Sequence, residues 1–255
     1  MLMSTKANRY AHQLIDARIC TRLLSPLSNE EPMSLTDGYD IAKCVLDASI
    51  GQGEIAIGRK LGFVNRMIAP KYGVVEAITI PILAHIFEST VRYAEDNRGI
   101  QSLEGAMQPR IEPEIVFKLA TTPSPNASIE EIADCIEWMA HGFEIAICPY
   151  PDWKFETVDA IAAFGLHGTL IIGEPHVLSS ATRRNLGEIL ANASVSLSCC
   201  TEDAMTLCAA GFGSDVHGSP LHALWHLHKI LQKQSQFPPL TAGEIITTGT
   251  WTDAY

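Results

Sequence analysis

The sequence contains no apolar stretch of the roughly 18 to 20 residues that a membrane-spanning helix needs. Its longest uncharged run, Ala160 to Gly173, is broken by glycines and by His167. It has no surplus of positive charge. With 18 Lys and Arg against 29 Asp and Glu, the net charge of −11 is the wrong sign for gripping a phosphate backbone. No C-x-x-C pair is present, and the seven cysteines, an odd number with Cys199 and Cys200 adjacent, do not make a secreted disulfide framework or a thiolate zinc site. There is no H-E-x-x-H, no internal repeat and no low-complexity linker, and Gly211-Phe212-Gly213 is too short for a nucleotide fingerprint. Charged residues between Lys6 and Arg22 interrupt what would be the apolar centre of a signal peptide. These absences predict a cytoplasmic protein with neither nucleic acid nor a membrane as partner. What remains is a chain of 255 residues, 47% hydrophobic and 18% charged, which is globular in composition and long enough to bury a sizeable core.

Periodicity divides the chain in two. In the first 50 residues, Tyr10, Ala11, Leu14, Ile15 and Ile19 recur at helical spacing within about Ser4 to Leu24. Thr36 is placed to cap a second helix that buries Ile41, Ala42, Val45 and Leu46 and ends at Gly51 and Gly53. Residues 51–255 then read as one β-rich unit. Short apolar runs between turn residues predict strands at Glu54–Phe63, Val74–Ile86, Ile111–Leu119, Phe143–Ile147 and Thr169–Ile172. Ser128 and Glu131 form a capping box ahead of a predicted helix whose stripe is Ile129, Ile132, Ala133, Ile136, Met139 and Ala140, stopped by Gly142. Ser219 and Pro220 open another, running to about Gln234.

The chemistry concentrates in Pro109-Arg110-Ile111-Glu112-Pro113-Glu114-Ile115. Side chains alternate along a strand, so Glu112 and Glu114 share one face. In Gly142-Phe143-Glu144-Ile145-Ala146, Glu144 likewise stands opposite to the apolar Phe143 and Ile145. Carboxylates in apolar company need a cation, a shared proton or water. Two readings follow from the pattern: an all-oxygen site for a hard divalent ion, or half-exposed strands carrying solvated glutamates.

Four motifs in order, Gly58-Arg59-Lys60-Leu61-Gly62-Phe63, the Pro-Arg-Ile-Glu-Pro-Glu-Ile run, His141-Gly142-Phe143-Glu144-Ile145 and Gly243-Glu244-Ile245-Ile246-Thr247-Thr248-Gly249-Thr250, resemble the hydratase/decarboxylase branch of the fumarylacetoacetate hydrolase superfamily across about residues 40 to 254. The resemblance implies an α+β fold, with a mixed, curved β core and peripheral helices. It implies Mg²⁺ or Mn²⁺ held by Glu112, Glu114 and Glu144, with Lys60 in the substrate pocket. The activity it implies is a lyase acting on a 2-oxo or 2-hydroxydienoic acid, by hydration or decarboxylation through a dienolate that the ion stabilises. Lys60 is a candidate proton donor or acceptor, with its pKa lowered, or else a cation that holds a substrate carboxylate. Thr248, Gly249 and Thr250 are candidate substrate-binding residues, since glycine permits close backbone approach. Asp159 and His167 fall in the region that lines the family's pocket and are candidate acid/base groups.

Other positions are given structural roles. His141 is read as capping a helix end, Arg110 as charge compensation. His222, His226 and His228 are read as flanking an apolar helix, on a surface or at an oligomer contact. The resemblance also implies a homo-oligomer and allows a complex with a related lyase. Two alternatives are carried forward. A C–C bond hydrolase of the same superfamily uses an E-x-x-H helix, and no Glu here is followed by His three residues later. The other is a catalytically silent partner subunit of a hydratase–decarboxylase complex. In two places the pattern departs from the family: in Gly73-Val74-Val75-Glu76 the acid is shifted by one residue from the Asp of the expected G-V-D context, and the chain stops at Tyr255, where relatives continue into a closing strand or two.

Overall fold

A computed structural model of the chain describes residues 5–74 and 82–255. Glu76 and the first half of the strand expected at Val74–Ile86 lie outside the described residues. Two helices come first, α1 (Thr5–Ile19) and α2 (Leu35–Gly51), and then the strands β1 (Ala56–Gly62), β2 (Ile82–Phe87), β3 (Val91–Tyr93) and β4 (Arg110–Leu119). Helix α3 (Ile129–Cys135) runs directly into β5 (Ile136–Ala146). After them come α4 (Thr157–Ala162), β6 (His167–Ile172), β7 (His176–Val177), α5 (Ser180–Arg184), α6 (Leu186–Asn192), the ribbon β8 (Ser194–Cys200) with β9 (Met205–Phe212), α7 (Pro220–Leu231) and β10 (Ile245–Thr247). No helix among the described residues is long and apolar enough to cross a membrane.

The main sheet has the order β2-β1-β10-β4-β5-β6-β3, with β7 added to β5. It is mixed: β1 with β10 and β3 with β6 are parallel, the other pairs antiparallel. Register shifts in the β1–β2, β4–β5 and β5–β6 ladders insert extra residues that bend and twist the strands. The product is the curved half-barrel with peripheral helices that the motifs implied. One large apolar cluster joins Tyr10, Leu14 and Ile41 of the first two helices to Leu61, Phe117, Ile161 and Leu224. After β10 the chain returns along β4: Trp251 N donates to Pro113 O (3.0 Å), Ile111 N to Tyr255 O (2.9 Å) and Tyr255 N to Ile111 O (3.1 Å).

Several local expectations are corrected. Helix α2 is capped by Ser34, not Thr36, because Asp37 sits three residues on and answers Ser34 reciprocally in a capping box. The helix opened by Ser128 stops at Cys135, well short of Gly142. From Ile136 the chain pairs residue by residue with β4, and burial alternates with a period of two; the ladder overrides an apolar spacing that also suited a helix. His141 therefore caps nothing: it lies in mid-strand opposite Ile115, exposed. Helix α7 has its Ser219 cap and Pro220 as expected but ends at Leu231, and His228 is buried rather than on its flank. The β8–β9 ribbon was not anticipated, although Ser194-Val195-Ser196-Leu197-Ser198 alternates polar and apolar residues.

Candidate metal centre and substrate cleft

Five neighbouring strands build the site. Lys60 stands on β1 opposite Thr247 of β10, whose end leads into the Thr248-Gly249-Thr250 loop. β10 pairs with β4, which carries Glu112 and Glu114. β4 pairs with β5 in a register that sets Glu112 directly across from Glu144, and β5 pairs with β6, which begins at His167. Carboxylates placed opposite each other repel, yet one oxygen from each of Glu112, Glu114 and Glu144 lies within 4.8 Å of the others. Glu114 and Glu144 are buried and Glu112 is half-buried. This rules out solvated glutamates on half-exposed strands for the last two.

Each carboxylate is held differently. Glu144 receives Lys60 Nζ on Oε2 (2.7 Å) and His167 Nδ1 on Oε1 (2.6 Å). Burial alone would raise its pKa, but Lys60 and His167 outweigh burial and bring it down to about 2. Glu114 accepts only the Gly249 N–H on Oε2 (2.9 Å), and its Oε1 is buried without a hydrogen-bond partner among the described residues. Burial and the charges of Glu144 and Glu112 push the Glu114 pKa well up. Burial pushes Glu112 to about 7, against the pull of Lys60. A buried oxygen with no donor, in a set of three carboxylates, is the donor chemistry of a hard divalent ion. Mg²⁺ or Mn²⁺ therefore fits Glu112, Glu114 and Glu144.

This electrostatics has a measurable consequence. Between the usual carboxylate pKa of 4.5 and about 7, the metal-free folded protein keeps a proton on Glu112 that the unfolded chain has released. The folded state binds more protons there, so its stability falls as pH rises through that window. A divalent ion removes the repulsion and binds only the ionised carboxylates. Mg²⁺ or Mn²⁺ is thus expected to raise the melting temperature more at pH 8 than at pH 5. Equal increments in thermal scans at the two pH values would contradict the linkage.

Lys60 is buried. Burial works to lower its pKa, but Glu144, Glu112 and Glu114 outweigh it and hold the pKa above the ordinary lysine value. In the metal-free chain these carboxylates favour the charged lysine; the lowered pKa is the expectation for a lysine beside a metal ion. His167 is buried with both ring nitrogens engaged, Nδ1 on Glu144 and Nε2 at 2.9 Å from Thr90 Oγ1. Burial lowers its pKa against the pull of Glu144; Nδ1 faces the carboxylate, and Nε2 faces the Thr90 hydroxyl, which itself donates to Phe87 O (2.9 Å). That arrangement orients Glu144 and leaves no free nitrogen for a substrate.

Asp159 is not brought to the glutamates. Its carboxylate accepts Ser28 N (2.9 Å), Ser28 Oγ (2.7 Å) and Glu156 N (2.9 Å), capping α4 and tying down the loop before α2. In the terminal loop, Thr248 Oγ1 donates to Ile115 O and Thr250 Oγ1 to Thr252 O, both at 2.9 Å. These hydroxyls are committed to backbone. Gly249 has φ 92°, and a Cβ there would lie 2.5 Å from Val64 Cγ2, so only glycine brings this amide onto Glu114. Of the three, Thr250 lines the cleft.

That cleft is lined by Lys60, Glu112 and Thr250 and by the rings of Phe63, Tyr72 and Trp153. Phe63 and Trp153 both hold left-handed backbone (φ 58° and 57°), a strained conformation for aromatic residues that recurs at functional sites. Arg110 stacks over Trp153 (4.4 Å to the ring centre) and donates to the Tyr72 hydroxyl. It forms no salt bridge among the described residues, but its charge helps to lower the Glu112 pKa. Phe63 lies in a motif and a predicted strand, but no role was assigned to it, to Tyr72 or to Trp153 as a wall of the cleft. The one legible hint was Arg110, two residues before Glu112 and hence on its face.

No family model matches the chain. Among curated proteins it is 28% identical over 239 residues to a 2-hydroxyhexa-2,4-dienoate hydratase of Comamonas testosteroni, covering 93% of this chain and 84% of the relative. It is 24% identical over 249 residues to a 4-oxalocrotonate decarboxylase of Pseudomonas sp, covering 98% and 89%. Among solved structures, the 4-oxalocrotonate decarboxylase from Pseudomonas putida G7, complexed with magnesium and adipate, matches with a TM-score of 0.82 at 20% identity, over all of this chain (100%) and 90% of that one. The fold is shared, and the resemblance to the hydratase/decarboxylase branch drawn from the motifs is supported.

Proposed function

We propose that this chain is a divalent-metal-dependent lyase acting on a 2-oxo or 2-hydroxydienoic acid, by hydration or by decarboxylation. The observation that carries the reading is the convergence of three carboxylates within 4.8 Å, one with a buried unpartnered oxygen, beside a cleft that also holds a cation. The relatives named as a dienoate hydratase and a decarboxylase support it, as does the magnesium in the decarboxylase structure. A divalent ion at Glu112, Glu114 and Glu144 would act as a Lewis acid toward the keto and carboxylate oxygens of such a substrate.

The chain's own residues supply the rest. Lys60 Nζ, held charged, is the group we assign to a substrate oxygen, carrying a proton and a positive charge into a water-poor pocket. His167 and Thr90 keep Glu144 in one orientation. Gly249 fixes Glu114. Phe63, Tyr72 and Trp153 pack on an unsaturated chain and exclude water, which strengthens each polar contact inside. Arg110, which forms no salt bridge among the described residues, draws an anionic substrate to the mouth. Replacing Arg110 with Met is expected to raise KM about tenfold or more, the worth of a charged hydrogen bond, with a smaller change in kcat. An unchanged KM in steady-state kinetics would remove Arg110 from substrate recognition.

Hydration and decarboxylation share these parts, and substrate trials separate them. The protein is given 2-hydroxypenta-2,4-dienoate and 4-oxalocrotonate in turn, each with Mg²⁺, Mn²⁺ or EDTA. Loss of dienol absorbance with the first, or CO₂ release with the second, abolished by EDTA, is the expected outcome. No turnover of either with any metal favours a specialised substrate outside these two or a silent partner, and a trial with 2-hydroxyhexa-2,4-dienoate separates them.

A further inference from the structure

The strand that begins with His167 contains a defect. In the β5–β6 ladder Ile145 pairs with Thr169 and Ala146 with His167, so Gly168 is an extra residue, a β-bulge. A Cβ at Gly168 would lie 2.4 Å from Ile145 O, so no other residue fits there without a shift. Bulges release backbone groups from the ladder and re-aim a side chain. The released carbonyls are taken by Arg18 from the last turn of α1: Nη1 donates to His167 O (2.7 Å) and Nη2 to Gly168 O (3.3 Å). The guanidinium stacks on the Phe164 ring at 4.6 Å and forms no ion pair with any carboxylate among the described residues. Burial brings its pKa down to about 10, with Glu54 opposing. A half-buried guanidinium that spends its fork on two backbone carbonyls instead of a counter-ion is uncommon. The residue it clamps carries the imidazole that holds Glu144.

We propose that Arg18 is a positioning residue for the metal centre: its fork locks the bulge at His167 and Gly168 and thereby fixes the backbone from which His167 aims Nδ1 at Glu144. This makes α1, far from the glutamates in sequence, part of the site. It rests on the metal reading of Glu112, Glu114 and Glu144.

The test is Mn²⁺ affinity, by titration of the full chain without substrate, alongside metal-free thermal melts. Arg18→Met is expected to bind Mn²⁺ about tenfold more weakly, the lower end of what partners behind a metal ligand contribute. Arg18→Lys, which keeps the charge but not the fork, should show a smaller loss. Because Arg18 acts through His167, the double variant R18M/H167A should bind no more weakly than H167A. Unchanged Mn²⁺ affinity in R18M with only a lower melting temperature, or losses that multiply in the double variant, overturns the proposal. Should R18M not fold, R18K decides, and wild-type affinity there is equally fatal. Failure of the unmodified protein to bind Mn²⁺ is a different result: it removes the metal reading itself.

Discussion

Replacing Glu144 with glutamine is expected to lower Mg²⁺-dependent turnover by about two to three orders of magnitude, since several kcal/mol of charge stabilisation depend on the ion it helps hold. The chain should still fold, because glutamine has the same shape and keeps polar contact with Lys60 and His167. Its metal-free melting temperature should fall, as the substitution leaves Lys60 buried beside a neutral group. Glu112→Gln makes the informative contrast. It too should cost most of the turnover, but Glu112 is the carboxylate raised to about 7 by burial. Taking away its charge relieves repulsion across the Glu112–Glu144 pair, so the metal-free protein should melt higher than wild type at pH 8. Activity assays and thermal scans on the two variants check both signs. Full activity in both would end the metal-centred reading.

The contrast between the two glutamates marks how far the sequence could be read. That Glu112 and Glu114 share a face follows from strand alternation, and Glu144 stood out as an acid on an apolar strand. Their convergence required the β4–β5 register, a long-range pairing that no local pattern encodes; the motif resemblance supplied it. The same dependence explains the errors. Ile136, Met139 and Ala140 suit a helix and a strand alike, and only the β4 partner decides between them. Asp159 and the hydroxyls of Thr248 and Thr250 lay in the right stretches but are consumed by backbone and cap contacts, which composition does not disclose. His167, a candidate acid/base group, is found bonded to Glu144 and 2.9 Å from Thr90, both distant in sequence. That Phe63, Tyr72 and Trp153 form one wall was not legible, because residues so far apart in the chain share no period.

Lys60 allows the sharpest separation of roles. It is buried and paired with Glu144 at 2.7 Å. Lys60→Met keeps the volume and removes the charge, leaving Glu144 uncompensated unless a metal ion is present. The metal-free variant should therefore lose stability, because breaking one side of a buried pair is costly, and Mn²⁺ should restore more melting temperature than it does in the wild type. With its competing cation gone from Glu144 Oε2, the variant should bind Mn²⁺ at least as tightly as the wild type. Turnover should nonetheless fall about a hundredfold or more, the scale for removing a buried charged contact or a positioned proton donor. Intact metal binding with lost catalysis would place Lys60 on the substrate side of the centre, opposite in behaviour to Glu144→Gln, which should lose both. If Lys60→Met instead turned over normally, its ion pair with Glu144 would be a device of stability alone, and the proton and charge assigned to Nζ would have to come from elsewhere in the cleft.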